Sequence, residues 1–273
     1  MTNINGIRKK VVKGLKDYCE ENGFKQVTFG LSGGMDSALV LAIACEALGN
    51  ENVNTMMMTT KHTSIESIIL AQKIATLNGV KHKVLDVQSI VDSIKNSLDF
   101  TPTKKTVMEN VQARVRGVLT MTYSNEQGTL VLSCGNKSEA DMGYCTLYGD
   151  MCGGYAPIQD VYKTEVYEMA ALYNREGKFI IPQEIIKRPP SAELSPNQKD
   201  QDALPPYEVL DPILMKYIHG NLKPKADEEE LVNWVRDKFD KSAFKRAQAA
   251  PCPLITDYDR GVVNPFNPDR DRS

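Results

Sequence analysis

The chain has 273 residues, is 41% hydrophobic and 25% charged, and sets 33 Lys+Arg against 35 Asp+Glu for a net charge of −2. That balance excludes the global basic field of a nucleic-acid binder, and no apolar run reaches the length that spans a bilayer. Six cysteines (19, 45, 134, 145, 152 and 252) show no Cys-x2-Cys spacing and the polar start lacks a signal-peptide pattern, so free thiols in a reducing cytoplasm are expected. The three histidines, at 62, 82 and 219, show no metal-ligand spacing, which argues against zinc.

Residues 4–22 predict a helix with Ile7, Val11, Val12, Leu15 and Tyr18 along one face and Gly23 ending it. Residues 27–31 predict a buried strand, and 38–48 an almost wholly apolar helix stopped by Gly49. Between them runs Ser32-Gly33-Gly34-Met35-Asp36-Ser37, a strand-to-helix turn whose glycines let the backbone approach a ligand. The first N–H groups of that helix are unpaired and partly positive, which makes the turn an anion site. No lysine follows the glycines, so this is not the Gly-x4-Gly-Lys-Ser/Thr phosphate loop. Asp36 would instead repel a phosphate unless a divalent cation lay between them, while Ser32 and Ser37 can donate to phosphate oxygens without adding charge.

A second strand is predicted over 53–58, and Thr63-Ser64-Ile65-Glu66 fits a capping box for a helix closing at Asn78-Gly79. A third strand is predicted over 83–87, followed by a helix with Ile90, Val91, Ile94 and Leu98 on one side. The alternation implies an α/β fold with a doubly wound parallel sheet flanked by helices, with its ligand at the carboxyl ends of the strands. After a polar loop (99–105), a helix over 107–123 carries Asn110, Gln112, Arg114 and Arg116. A fourth strand, 129–134, runs into Gly135-Asn136-Lys137-Ser138-Glu139, which would set Glu139 in the same crevice as Asp36. Residues 149–157 are glycine-rich and expected to be mobile, and Asp160 is read as the N-cap of a helix to 174 that holds Lys163 in its first turn. Six prolines between 182 and 206 predict a long functional loop or lid. Two further helices are predicted over 207–219 and 227–241, and the polar tail 257–273 is expected to be loose.

The loop over 30–37 resembles the pyrophosphate-binding loop of the N-type ATP pyrophosphatases, which split ATP into AMP and pyrophosphate. With Asn110-Val111-Gln112-Ala113-Arg114-Val115-Arg116-Gly117, Gly135 to Glu139, Gly143-Tyr144-Cys145-Thr146-Leu147-Tyr148-Gly149-Asp150 and Val161-Tyr162-Lys163-Thr164, the chain resembles NAD synthetase. So do Lys187-Arg188-Pro189-Pro190-Ser191-Ala192-Glu193-Leu194 and 202–211, and the match runs in order over residues 5–255. The wording is most similar to the synthetase domain of the glutamine-dependent branch, without a nitrilase-like glutaminase domain ahead of it.

The resemblance implies an adenine nucleotide alpha hydrolase-like fold with extra C-terminal helices, as a single synthetase domain over 1–273. It implies ATP-dependent amidation of deamido-NAD to NAD through an adenylated intermediate, with ammonia as nitrogen donor and AMP and pyrophosphate released. By the same resemblance Gly30, Leu31, Ser32, Gly33, Gly34, Met35, Asp36 and Ser37 meet ATP, together with Cys134 (where the family usually has threonine), Lys163 and Ser191. Asp36 and Glu139 would hold Mg²⁺ and, with Lys163, carry the catalysis; Asn110, Arg114, Glu139, Tyr144, Leu147 and Lys245 would meet deamido-NAD, partly across a homodimer. A separate glutaminase is the alternative source of ammonia, and neither nucleic acid nor membrane is an expected partner.

Two other readings compete. Another enzyme of the pyrophosphatase class, GMP-forming or tRNA-modifying, would lack the 110–117 and 143–150 stretches or would want a basic surface or reactive paired cysteines. A non-catalytic nucleotide sensor has no need for Asp36, Glu139 and Lys163 together.

Overall fold

The computed structural model describes residues 3–177, 179–196 and 198–255, so the tail predicted over 257–273 lies outside the described residues. Its strands are β1 (Val27–Gly30), β2 (Val53–Thr59), β3 (Lys81–Asp86) and β4 (Leu130–Val131), paired in parallel in the order β3-β2-β1-β4. The register sets Val27 beside both Val53 and Leu130, which brings the ends of β1 and β4 to one edge of the molecule. β1 and β2 are buried on both faces, Thr28, Asn54 and Thr55 included, as inner strands of a helix-covered parallel sheet are. β3 is an exposed edge strand, with Val84 and Leu85 on the surface.

The helices are α1 (Ile4–Glu21), α2 (Met35–Leu48), α3 (Ile65–Leu77), α4 (Gln88–Asn96), α5 (Lys105–Gln127), α6 (Lys137–Met142) and α7 (Lys163–Glu176). They continue as α8 (Gln183–Lys187), α9 (Tyr207–Ile213), α10 (Glu229–Lys241) and α11 (Ala243–Arg246). Strand side chains alternate between faces, and the three methionines of β2 divide accordingly. Met57 joins the core formed by α1, α2, α3 and α7, while Met56 and Met58 join Val91 of α4 and Val115 of α5 on the other side. A further cluster built on Tyr162, Tyr207, Leu210, Ile213, Tyr217, Val232 and Val235 packs α9 and α10 beside α6. These are the predicted extra C-terminal helices.

Several local expectations are corrected. The N-cap of α3 is Ser64, whose Oγ accepts from Ser67 N at 3.1 Å, because the Thr63 hydroxyl is taken by Thr60 N at 2.9 Å. α7 starts at Lys163 behind Tyr162, not at Asp160. Glu165 accepts from Tyr162 N at 3.0 Å, whereas the Asp160 carboxylate accepts from Ile255 N at 2.6 Å and anchors the C-terminal segment. Lys163 stays in the first turn.

The glycines of 149–157 serve close packing. A Cβ on Gly153 would lie 2.9 Å from Ser133 N, and Gly154 N donates to Val131 O at 2.9 Å. Residues 182–206 include α8 and a short 3-10 turn at Asp200–Asp202. The helix predicted over 207–219 divides into α9 and a π-helical stretch, Leu214–His219, just after Pro212, which lacks a backbone donor.

Candidate active site

The chain leaves β1 with Leu31 N donating to Met56 O at 2.8 Å. Gly33 then adopts φ +78°, and a Cβ there would stand 2.5 Å from Ser67 O, so only glycine fits. Gly34 caps α2 without any side-chain bond, which leaves that N-terminus open to an anion. The loop's own hydroxyls hold its shape. Gly34 N donates to Ser32 Oγ and Ser32 N to Ser37 Oγ, both at 3.2 Å, and Ser37 Oγ donates to Gly34 O at 3.1 Å.

The end of β4 leads to Asn136, the N-cap of α6. Its Oδ1 accepts from Glu139 N at 3.0 Å, and its Nδ2 donates to Asp36 Oδ1 at 2.9 Å. Lys163, 2% exposed, donates to Asp36 Oδ2 and, at 3.4 Å, to Glu139 Oε1. α2, α6 and α7 thus bring their first turns to one point, two supplying a carboxylate and the third an ammonium.

Burial works against the charge on Lys163, but Asp36, Glu139 and Asp200 outweigh it and hold the ammonium above the ordinary lysine range. Burial pushes Glu139 up; Lys163 pulls it back, and the Asp36 and Asp200 charges push it further above the carboxylate range. Two carboxylates from facing helix turns are the hard oxygen ligands that a divalent cation of the Mg²⁺ type takes. No three His, Cys, Asp or Glu side chains among the described residues form a metal cage, so water and substrate oxygens would complete the coordination.

A cavity of about 520 Å³ opens over this point. Gly30, Leu31, Ser32, Gly34, Met35, Asp36, Ser37, Cys134, Glu139, Lys163 and Ser191 all border it, as do Asn110, Tyr144 and Lys245. Gly33 turns away against α3. Arg114 and Leu147 do not border the cavity. Arg114 Nε donates to Leu147 O at 3.2 Å on the exposed side of α5, because at about 100° per residue position 114 lies about a quarter-turn from Ala113, past the edge of the cavity face.

Several of the predicted side chains are already engaged. Lys245 Nζ donates to the carbonyls of Gly143 and Cys145 at 2.7 Å each, and Asn110 Oδ1 accepts from Thr146 Oγ1 at 2.8 Å. Ser191 Oγ donates to Gln198 O at 2.6 Å and accepts from Glu193 N at 3.1 Å. Cys134 Sγ lies 4.0 Å from Gly30 O, and burial keeps it a thiol.

Three further cavity residues carried no site role in the sequence reading. Arg116 Nε donates to Met58 O at 3.0 Å, and its spacing from Glu109, Ala113 and Thr120 on one face of α5 is the signal that marks it. Arg188 fixes the 188–200 loop to α3 by donating to Ser64 Oγ at 3.0 Å, and it pairs with Glu193 at 2.6 Å. Asp200 Oδ2 accepts from Tyr207 OH at 2.7 Å at the edge of the Lys163 cluster. Its signal is weak, since it lies in a charged loop.

A family model described as NAD synthase matches residues 7–249. The glutamine-dependent NAD(+) synthetase of Thermotoga maritima is 47% identical over 251 residues, covering 89% of this chain and 44% of that protein. Other curated relatives are matched over a similar share, so the chain spans about half the length of the curated relatives it matches. Among solved structures, the glutamine-dependent NAD+ synthetase of Acinetobacter baumannii in complex with ADP is 40% identical with a TM-score of 0.67, over 95% of this chain and 48% of that one. The NH3-dependent NAD synthetase of Campylobacter jejuni is 26% identical with a TM-score of 0.67, over 94% of this chain and 100% of that one.

Proposed function

Since the chain belongs to the NAD synthase family, we propose that it joins ammonia to the nicotinate carboxylate of deamido-NAD, consuming ATP and releasing AMP and pyrophosphate. The observation that carries this reading is the convergence of Asp36, Glu139 and Lys163 on the open N-terminus of α2. Attack of the carboxylate oxygen on the α-phosphorus forms the adenylate and expels pyrophosphate; ammonia then attacks the acyl carbon and AMP leaves. Neither step needs a protein nucleophile, so catalysis consists of positioning and of charge at the leaving group.

The α2 N–H groups and the Ser32 and Ser37 hydroxyls bind the phosphates. Lys163 neutralises charge as pyrophosphate departs. Asp36 and Glu139 would hold a Mg²⁺, which supplies further positive charge at the leaving group when bound. That the Acinetobacter baumannii synthetase was solved in complex with ADP supports an adenine nucleotide as a ligand here.

Deamido-NAD meets Asn110, Tyr144 and Lys245 in the cavity. Arg114 and Leu147, on the outer side of α5, meet the substrate of the second subunit of a homodimer. The whole chain acts as one synthetase domain in the cytoplasm; among the described residues no helix is long and apolar enough to cross a membrane.

Ammonia as the donor is supported by the cysteines. Burial raises the pKa of Cys19, Cys45, Cys134, Cys145, Cys152 and Cys252, so none is the low-pKa thiolate that a glutaminase nucleophile requires. The test is purified protein with ATP, Mg²⁺ and deamido-NAD, given ammonium or glutamine, with NAD, AMP and pyrophosphate measured. NAD from ammonium alone is expected. NAD from glutamine would overturn the donor, glutamine use only after another cellular protein is added would identify a separate glutaminase, and no NAD from either would overturn the reaction.

A further inference from the structure

Asp211 does not border the cavity, yet its carboxylate lies where the two helices bearing Glu139 and Lys163 meet. The residue is fully buried on α9. Its Oδ1 accepts from Ser138 Oγ at 2.5 Å, and its Oδ2 accepts from Thr164 N at 2.9 Å and Thr164 Oγ1 at 2.8 Å. Ser138 Oγ accepts in turn from Lys163 N at 2.9 Å. Ser138 immediately precedes Glu139, and Thr164 immediately follows Lys163.

The first backbone N–H groups of a helix need partners from outside it. On α7 the Lys163 and Thr164 amides find these partners in Ser138 and Asp211, from two other helices. One turn earlier on α9, the Tyr207 ring lies 5.3 Å from Lys163 Nζ. α9 therefore bears on the lysine twice: Asp211 holds the amide of the next residue and the Ser138 hydroxyl that receives the Lys163 amide, and the Tyr207 ring faces the ammonium.

We propose that Asp211 is a positioning residue for the reaction proposed above, on which this inference rests. It locks the first turns of α6 and α7 together and so fixes the distance between Glu139 and Lys163. Three donors converge on its two oxygens. An amide has one acceptor oxygen and would turn an NH₂ toward a donor. A displacement of about 1 Å at such a site costs on the order of 100-fold in rate.

The test is a double-mutant cycle with amide exchange beside it. Asp211→Asn should lower kcat by at least about tenfold, leave the KM for deamido-NAD within about twofold, and add little further loss in a Lys163→Met background. Full multiplication of the two losses, or an unchanged kcat, would overturn the proposal. By hydrogen exchange, Asp211→Asn should accelerate the Lys163 and Thr164 amides while β1 and β2 stay protected; acceleration across the sheet would mark Asp211 as a general stability residue and overturn it too. Should Asp211→Asn fail to fold, Thr164→Val removes one donor and is held to the same outcomes. If the wild-type protein makes no NAD, the reaction reading falls, and amide exchange alone decides the clamp.

Discussion

The Asn136 amide donates to Asp36 Oδ1 at 2.9 Å while its own oxygen receives Glu139 N at 3.0 Å, so one fully buried side chain joins the two acidic turns. Asn136→Ala removes a helix cap, for which about 0.5–2 kcal/mol is usual, and leaves Asp36 without one of its two donors. A stability loss of about 1–3 kcal/mol by urea unfolding is expected, with slower turnover. An unchanged unfolding midpoint would show that the bridge carries no weight.

Asp36→Asn should keep the fold and remove at least about 100-fold of activity, the scale for losing one preorganised charge contact. Near-normal turnover at saturating Mg²⁺ would exclude Asp36 as a cation ligand.

Lys163→Met leaves Asp36 and Glu139 facing each other without their shared ammonium. Breaking a buried ion pair from one side costs about 3–5 kcal/mol, so the apoprotein should melt well below wild type. Pyrophosphate release should slow far more than deamido-NAD binding weakens. Equal effects on both would place Lys163 at the dinucleotide instead.

His82 provides a pH test away from the site. Burial lowers its pKa below the ordinary 6.5; Nδ1 shares a hydrogen bond with Thr55 Oγ1 at 2.9 Å, and the buried Nε2 has no hydrogen-bond partner among the described residues. A depressed histidine pKa favours the fold above the unfolded value, and that contribution is lost as pH falls from about 6.5 through the folded value. Unfolding free energies at pH 7.5 and 5.5 should therefore drop more in wild type than in His82→Leu. Parallel pH profiles would contradict this.

The exposed side of α5 carries Arg114, with Val118 (64% exposed) and Met121 (37% exposed) on the next turns. If the homodimer forms on this side, Val118→Asp should shift the protein toward monomer in sedimentation velocity. A wild-type monomer that is active at nanomolar concentration would contradict the shared substrate site.

The strand-turn-helix order was legible because its signals are local: apolar runs for β1 and β2, glycines at the turn, carboxylates just past it. That order set Asp36 and Glu139 in one crevice and Lys163 in the first turn of its helix, while the grouping of the three came from the resemblance; the structure brings their side chains together. What could not be read is longer in range. The choice of Tyr162 over Asp160 as the start of α7 depends on Ile255, nearly a hundred residues away, claiming the Asp160 carboxylate. Arg114 and Arg116 are two residues apart in an eight-residue match, and only the rotation of α5 against β2 decides that Arg116 enters the cavity and Arg114 does not. Asp211 has no signal beyond a lone acid before a proline, because its partners come from two other helices.

The approach of Gly33 to Ser67 O has a genetic consequence. The neighbour is a main-chain carbonyl, so a Gly33→Ala lesion cannot be relieved by any exchange of the Ser67 side chain. Intragenic suppressors, where they arise, should fall on the residues that seat α3 as a body against the sheet, such as Leu70, Ala71 and Ile74.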